Sequence, residues 1–310
     1  MHNQTHVQIP ENLTTPLSTI QLNDDGIGYA KTFDFSRANL NEESRIAAIS
    51  TVASVCYQNP KAAGSISLYN RLANESAGLP SSSFEFVPIL LEPGDIYNIL
   101  SYSQDIHGIK RRQLSVEKYG EFIKHDNLDG NSYLLTNLRA LLADVGDKAN
   151  EFFNSEEECK IISKHFHVFQ TKIDLATARQ FMRHRVIWQE LSRRYVSGVK
   201  TPIEFYMSKK LKEVYSDHKL AVLSTEKLMS MCLDHYFEAL TLGVKPEEAR
   251  RILPQAMYTT IWSAWMPSQL DSFLKLRLDS HTQIEHQKLA QAMLNLTKEK
   301  LHYSGLNNAN

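Results

Sequence analysis

The sequence of 310 residues lacks the features that mark secreted or membrane-bound proteins. Its 3 cysteines, Cys56, Cys159 and Cys232, are an odd number without a C-x-x-C spacing, so they are predicted to be reduced thiols. The chain does not begin with a basic stretch followed by an apolar one, and no apolar run approaches the ~18 residues that span a bilayer. The sequence therefore predicts a cytoplasmic protein without a membrane partner.

An excess of charge of one sign is also missing. The 34 Lys and Arg residues against 35 Asp and Glu residues give a formal net charge of −1. General nucleic-acid binders usually carry a large positive excess, so no nucleic-acid partner is expected. A content of 42% hydrophobic residues, with only 12 Gly and 10 Pro, excludes a collagen-like or wholly disordered chain. Any binding site for an anion must be built by local clustering of cations.

Hydrophobic patterning predicts many helices and a few strands. Residues 1–25 are polar and are expected to form a loose tail before a single domain over 26–310. Helices are expected at 41–59, 67–74, 133–142, 217–243, 246–254 and 280–303, and from about Asp174 onward. Strands are expected at 84–91 and 166–173, and Trp262 and Trp265 are expected in the core. The more charged region 92–164, with the basic cluster Lys110–Arg112, is interpreted as a helical insertion.

The most unusual segment is 180–195, with the sequence Q-F-M-R-H-R-V-I-W-Q-E-L-S-R-R-Y. Its apolar residues do not form a clean helical stripe, so its arginines cannot all reach water while its bulky residues pack in a core. An enclosed guanidinium needs an anionic partner, either a carboxylate or a phosphate. A solvated basic face neutralised by Glu190 is the alternative interpretation.

A second segment of this kind runs from 249 to 281. It contains A-R-R-I-L-P at 249–254, Y-T at 258–259 and F-L-K-L-R-L-D-S-H at 273–281. Arg277 lies between two leucines, which indicates a cation drawn toward a pocket. For Arg277, pairing with Asp279 or a nearby glutamate is the alternative, and His281 could simply cap a helix or pair with Asp279.

In letters and order, these two segments resemble the flavin-dependent thymidylate synthases. The family's first element, R-H-R followed by a spacer and S-x-R-Y, is matched between Arg183 and Tyr195. Its distal element, A-R-x-x-L-P…Y-T…F-L-x-L-R-x-D-x-H-x-Q, is matched between Ala249 and Gln283. Two motifs in the family's order are far more specific than either motif alone.

Three departures from the family pattern concern mainly the flavin and the folate. The spacer between Arg185 and Ser192 is one residue shorter than usual. Small residues near Ser81 and Ser82 stand where the family has a histidine and a glutamate. The segment Met266–Phe273 stands where relatives have N-x-R-S-L-x-N-F, with Met and Ser at the Asn and Arg positions.

The resemblance implies an α+β fold with helices packed on a small mixed or antiparallel sheet. It also implies methylation of deoxyuridine monophosphate (dUMP) at C5, with FAD as cofactor, 5,10-methylenetetrahydrofolate as carbon donor and NADPH as reductant, in a homotetramer with shared active sites. By matched position, the implied substrate-binding residues are Gln180, Glu190, Ser192, Arg193, Arg194, Arg250 and Arg277. The implied catalytic residues are Arg277, Ser192 and Arg183, and the implied FAD-binding residues are Arg183, His184, Arg185 and His281.

Other interpretations remain open at this point. The chain could be a catalytically degenerate relative that binds a nucleotide as a scaffold or regulator. It could also be a helical protein that binds nucleic acid through Lys110–Arg112 and the arginines after Gln180. No metal site is expected, because His165 and His167 have no evident third ligand. Cys56 and Cys159 lack the Pro-Cys-His context of the cysteine-dependent thymidylate synthases.

Overall fold

The structure of the protein, a computed structural model, describes residues 5–74, 80–107, 113–124, 132–217 and 223–298. The strands are β1 (Ser18–Gln21), β2 (Tyr29–Phe33), β3 (Pro88–Leu91), β4 (Glu121–Lys124), β5 (Ser132–Asn137), β6 (His167–Asp174), β7 (Ile187–Glu190) and β8 (Tyr258–Trp265). The helices are α1 (Glu11–Thr14), α2 (Glu42–Tyr57), α3 (Ile66–Ala73), α4 (Pro93–His107), α5 (Ser115–Lys118), α6 (Leu138–Val145), α7 (Glu156–His165), α8 (Leu175–Phe181), α9 (Lys209–Asp217), α10 (Thr225–Thr241), α11 (Pro246–Ala249), α12 (Pro267–Arg277) and α13 (Ile284–Lys298).

The larger of two antiparallel sheets has the strand order β1-β2-β6-β8-β7. Side chains alternate between its faces, so Trp262 packs with Phe33 and α2 on one side, while Trp265 packs with α8, α12 and α13 on the other. Both tryptophans are buried, as predicted. Helices thus cover both faces of an antiparallel sheet, which confirms the predicted α+β class.

The region 92–164 is not purely helical, because it contributes β4 and β5. These strands pair with β3 in a second antiparallel sheet of order β3-β5-β4. The helix predicted at 133–142 is therefore wrong in its first half, since β5 occupies Ser132–Asn137 and α6 follows it. A short apolar run that is buried on both faces has no periodicity to separate strand from helix. Asn137 marks the boundary, because its side chain accepts a hydrogen bond from Ala140 N and caps α6.

The predicted loose tail is also corrected over the residues that the structure describes. Between residues 5 and 25, α1 places Leu13 in the core at 1% exposure, and β1 pairs with β2. Polar composition hid this order, because β1 alternates intermediate and exposed residues and depends on its partner strand for stability. The cluster Lys110–Arg112 lies outside the described residues, as do Tyr303 and Gly305 near the end of the last predicted helix.

Two further helix predictions need adjustment. The helix predicted over 217–243 begins only at Thr225, where the Ser224 side chain accepts from Lys227 N, and α9 ends before it. The helix that begins after Asp174 ends at Phe181, because Ile187–Glu190 forms β7 and pairs with β8. None of the described helices combines the length and the apolar content needed to cross a membrane.

Candidate active site

A cleft of about 780 Å³ opens where the chain leaves β7. It lies between the end of α2, the helix α8 and the segment after α11. Arginines from three places in the sequence share its wall: Arg179, Arg193, Arg250 and Arg251. Glu190, Ser192 and Thr259 from the two motifs also line it. The fold therefore builds a cation-rich cleft in a chain whose net charge is close to zero.

Glu190 is the acidic group of this cleft. It lies at the end of β7 and accepts a hydrogen bond of 3.0 Å from Thr259 Oγ1 on the neighbouring strand β8. Burial raises the pKa of Glu190, against the opposing effects of the Thr259 hydrogen bond and then of Arg250 and Arg179. A partly desolvated carboxyl of this kind can accept a hydrogen bond from a substrate N–H or O–H group, or donate one when protonated.

Ser192 and Arg193, which follow Glu190 in the motif, contact different parts of the chain. Ser192 N donates to Cys56 O at 3.2 Å, which fixes the motif against the end of α2. Arg193 is only 6% exposed, and its guanidinium donates to Thr201 O at 3.0 Å and to Pro202 O at 3.2 Å. Arg193 therefore holds the following loop in place, and this limits the donors that it can offer to a substrate.

Arg194 and Tyr195 have a different environment from Arg193. Arg194 is exposed, with its guanidinium carbon 5.3 Å from the centroid of the Tyr195 ring. The Tyr195 ring lies 5.6 Å from that of Tyr57, at the end of α2. Two adjacent arginines of one motif thus have opposite exposures, since Arg193 is buried and Arg194 is exposed to solvent.

A second cluster forms around Arg277, at the end of α12. Arg277 Nε donates to His184 Nε2 at 3.0 Å, and Arg277 Nη2 donates to Gln180 O at 3.2 Å. The side chain of Gln180 donates to Gln283 Oε1 at 3.0 Å. Arg277 therefore does not pair with Asp279, which was the alternative interpretation from the sequence.

His184 must be neutral to take part in this cluster. A guanidinium always donates, so Nε2 of the imidazole accepts and its proton is on Nδ1. Burial, and secondly the charge of Arg277, lower the pKa of His184 below its usual 6.5. The imidazole also stands edge-on to Phe273, with ring centroids 5.0 Å apart. These contacts fix the orientation of the ring.

The other residues of the predicted flavin site are exposed. The side chains of Arg183 and Arg185 reach the surface, and Arg185 O accepts a hydrogen bond from the Gln269 side chain at 3.2 Å. His281 Nδ1 lies 2.9 Å from Asp279 Oδ1, which is the pairing that the alternative interpretation expected. Their roles toward a flavin remain predictions.

The structure brings together only part of the predicted set in one chain. Of the predicted substrate-binding residues, Glu190, Ser192, Arg193 and Arg250 line the cleft. Within the described residues, Gln180, Arg194 and Arg277 are not part of its wall. Arg179 was missed, although its position beside Gln180 on α8 is a signal that helical geometry could have supplied. The sequence also failed to assign a separate, buried role to Arg193.

Most arginines of the two clusters lack an ion-pair partner in the described chain. Among the residues that the structure describes, no carboxylate lies within ion-pair distance of the following arginines: Arg179, Arg183, Arg185, Arg193, Arg194, Arg250 and Arg277. Arg251 differs, since it pairs with Glu248 at 2.9 Å. Glu190 shares the cleft with Arg250 and Arg179, whose charges oppose the effect of burial on its pKa, but this single carboxyl forms no ion pair with them and is outnumbered by the arginines of the cleft. Uncompensated guanidinium groups in and beside a cleft favour an anionic ligand.

The fit to a flavin differs between the two sides of the predicted site. Arg183 and Arg185 offer exposed cations on either side, in sequence, of the fixed, neutral ring of His184, which suits an anionic cofactor. At the other side, Ser268 N and Ser268 Oγ donate to the Glu121 carboxylate from β4, at 3.1 and 2.7 Å. That end of α12 is occupied by an acidic side chain. Across the described chain, no group of three or more His, Cys, Asp or Glu residues is arranged to hold a metal ion.

Comparison with known proteins adds three observations. A family model described as "Thymidylate synthase complementing protein" matches residues 159–301. The flavin-dependent thymidylate synthase of Aquifex aeolicus is 32% identical over 158 residues, which are 47% of this chain and 48% of that protein. A more distant likeness in structure is to a UMP/dUMP methylase, PolB, from Streptomyces cacaoi bound with 5-Br dUMP. It has a TM-score of 0.36 and 21% identity, and covers 53% of this chain and 87% of that one.

A further relative is matched over a larger share of its length. The flavin-dependent thymidylate synthase of Thermosipho melanesiensis is 32% identical over 169 residues, which are 50% of this chain and 72% of that protein. The chain spans about half the length of the Aquifex relative, at 48%. The matched residues include both arginine-bearing motifs. On this similarity, the chain belongs to the flavin-dependent thymidylate synthase family.

Proposed function

We propose that this protein is an enzyme that methylates dUMP at C5 to give thymidylate. It would use FAD as cofactor, 5,10-methylenetetrahydrofolate as carbon donor and NADPH as reductant. The observation that carries the proposal is the set of unpaired arginines around a cleft that also holds Glu190 and Ser192. The nucleotide, the flavin, the folate and the nicotinamide nucleotide are all anions, and several described arginines without an ion-pair partner lie in and beside this cleft.

The cleft has distinct groups for the two ends of a nucleotide. Arg250 and Arg179 lie on its wall and would hold the phosphate, each through charge-assisted hydrogen bonds of about 1.5 to 3 kcal/mol. Glu190, held by Thr259, is the acceptor for a ribose or base N–H or O–H group. Ser192 lines the same wall, and Arg194 reaches the nucleotide from the exposed side.

The Arg277 cluster would complete the site from a neighbouring subunit. Gln180, Arg277 and His184 are joined to one another but do not line the cleft of their own chain. A homotetramer with shared active sites would place this cluster of one subunit against the cleft of another. In that assembly Gln180 would read the uracil edge, because an amide offers both a donor and an acceptor.

Flavin, when bound and reduced by the nicotinamide nucleotide, supplies the hydride of the reaction. The protein's contribution is to bind and orient it. Arg183 and Arg185 are exposed cations next to His184, so they would hold anionic parts of the cofactor. His281 would join them if its contact with Asp279 opens.

Spectroscopy and calorimetry test the proposal on the whole protein. The purified chain should show flavin absorbance, or gain it on reconstitution with FAD. Titration with dUMP should show binding that is lost in Arg277→Ala, while Lys164→Ala, which removes an exposed cation of α7 outside the cleft, leaves it intact. A protein that gains no flavin would overturn the cofactor assignment. An unchanged dUMP affinity in Arg277→Ala would overturn the assignment of the Arg277 cluster to the nucleotide site.

A catalytically degenerate relative that binds the nucleotide as a scaffold or regulator is the second candidate. The contact of Glu121 with Ser268 favours it, because an acidic side chain at the start of α12 opposes a cofactor phosphate there. Complementation of a thymidine-requiring bacterial strain separates the two candidates. Growth without thymidine supports the enzyme, and dUMP binding without growth supports the scaffold.

A further inference from the structure

A second cavity, of about 560 Å³, adjoins the cleft and is used by none of the predicted site residues. Tyr57 and Tyr195 line both spaces, so the pair of rings forms the wall between them. The ring centroids are 5.6 Å apart with an interplanar angle of 37°, which is direct ring contact. We call this space the tyrosine cavity. A ligand in it lies next to whatever occupies the cleft.

The tyrosine cavity carries positive charge without compensation. Arg71, on α3, has its guanidinium carbon 5.3 Å from the centroid of the Tyr57 ring, and Lys200 is exposed at the other side. In the part of the chain that the structure describes, neither cation has a carboxylate within ion-pair distance. The guanidinium is therefore held in place by an aromatic face, with its donors free for an anion.

The backbone at the rim of this cavity has an unusual conformation. Gln58 ends α2 with φ of 45°, and it is the one non-glycine residue with positive φ in the described chain. Such a conformation is uncommon for a glutamine, and here it ends the helix, with Gln58 N donating to Ser54 O and Val55 O. The turn that it makes brings Gln58 and Asn59 to the cavity wall, where their amides add donors and acceptors.

We propose that the tyrosine cavity binds a flat aromatic ring joined to an anionic group, as part of a co-substrate. The ring would pack on Tyr57 and Tyr195, and the carboxylate or phosphate would meet Arg71 and Lys200. The volume suits a fragment of this kind, since small-molecule sites occupy roughly 300 to 1,000 Å³. The inference rests on the proposed function, in which the carbon donor must reach the nucleotide, and the shared tyrosine wall provides that adjacency.

Two co-substrates of the proposed reaction have this chemistry, and two probes distinguish them. The p-aminobenzoyl-glutamate part of a folate has a ring and two carboxylates, whereas a nicotinamide nucleotide has a ring and phosphates. Calorimetric titration of the full chain with p-aminobenzoyl-glutamate, and separately with NADP⁺, shows which source the cavity prefers. Each titration is done with and without saturating dUMP.

The variants Arg71→Ala and Lys200→Ala test the assignment. Each removes one charged contact, so the affinity for the preferred probe should fall about tenfold, while the affinity for dUMP stays the same. Lys164→Ala is the matched control and should change neither affinity. Lys200 is exposed, so Lys200→Ala remains folded even if the loss of Arg71 disturbs α3, and urea unfolding verifies this.

The outcomes separate this inference from the proposed function. Binding of a probe that is weakened by both variants supports the inference, even in a protein that fails to bind dUMP. If neither probe binds, or if both variants bind the preferred probe as the unchanged protein does, the inference is overturned. If the unchanged protein does not bind dUMP, the proposed function alone is overturned.

Discussion

Arg277 Nε donates a hydrogen bond of 3.0 Å to His184 Nε2, across 93 positions of sequence. This single contact joins the R-H-R motif to the distal motif within one chain. It needs an imidazole without a proton on Nε2, and it places a neutral ring against a permanent cation. The protonation state of His184 therefore depends on the position of Arg277.

The pKa of His184 should depend on the presence of Arg277. Burial and then Arg277 lower the pKa of His184, so Arg277→Ala should raise it part of the way back toward 6.5, since the effect of burial remains. NMR of histidine labelled with ¹⁵N measures this, with the signal of His184 assigned from His184→Gln. Lys275→Ala, which removes a cation of α12 that pairs with Asp271, is the control. An equal pKa in Arg277→Ala would show that the two side chains are apart in solution.

Stability should fall in acid because of His286, on α13. This residue is fully buried, and its pKa is lowered to about 4, mainly by burial and then by Arg277 and His184. In the unfolded chain the pKa returns to about 6.5, so only the unfolded state takes up a proton as the pH falls below that value. The stabilisation is complete above pH 6.5 and declines toward pH 4, by roughly 3 kcal/mol in all.

Urea unfolding at pH 7.5 and pH 5 measures the contribution of His286. His286→Gln keeps a polar side chain without a titrating ring, so its stability should depend less on pH. His235→Gln is the control, because His235 lies on the exposed surface of α10. The same loss between the two pH values in His286→Gln as in the unchanged protein would contradict the prediction.

Replacing Arg193 should lower the stability of the protein, whereas replacing Arg194 should weaken ligand binding. Arg193→Ala removes two partly buried hydrogen bonds to Thr201 O and Pro202 O, and should cost about 1 to 3 kcal/mol of unfolding free energy. Arg194→Ala, at an exposed position, should change stability by less than about 0.5 kcal/mol but weaken dUMP binding. Urea unfolding and calorimetry on both variants provide the measurements. The reverse assignment of effects would show that Arg193 acts on the ligand.

The hydroxyl of Thr259 should lower the pKa of Glu190. Its hydrogen bond opposes the effect of burial, so Thr259→Val should raise the pKa of Glu190 further. If the carboxylate binds the nucleotide, the pH below which dUMP affinity falls should then move upward. Thr259→Ser keeps the hydroxyl and should leave the profile in place. Calorimetric titrations across pH 5 to 8 compare the dUMP affinity of the three proteins. If the dependence of affinity on pH is the same in all three, Glu190 does not bind the nucleotide.

The elements that could be predicted are those with local signals. Asn41 accepts from Ser44 N at 2.9 Å in a capping box, and α2 begins beside it as expected. The strand predicted at 166–173 is β6, displaced by one residue. In contrast, β5 pairs with β3 and β7 pairs with β8, which are far away in sequence, and no local pattern encodes that pairing. The strand β1 pairs with the nearby β2, and it was missed because its polar composition gives no strand signal.

The candidate site was predictable in its residues but not in its geometry. The motifs indicated which side chains carry the chemistry, and Glu190, Ser192 and Arg250 do line the cleft. The motif match does not predict that Arg193 is buried while Arg194 is exposed, because this depends on the conformation of the turn after β7. Nor does it show that Arg277 lies with His184 rather than with the cleft.

The contact between Glu121 and Ser268 ties the small sheet to the helix that ends at Arg277. Excising residues 92–164 to shorten the protein would strip two donors at the start of α12 of their acceptor. The opposite end of that helix carries the guanidinium held by His184. Removal of the segment would therefore weaken the start of the helix whose last residue is Arg277, so the small sheet supports the position of this cation.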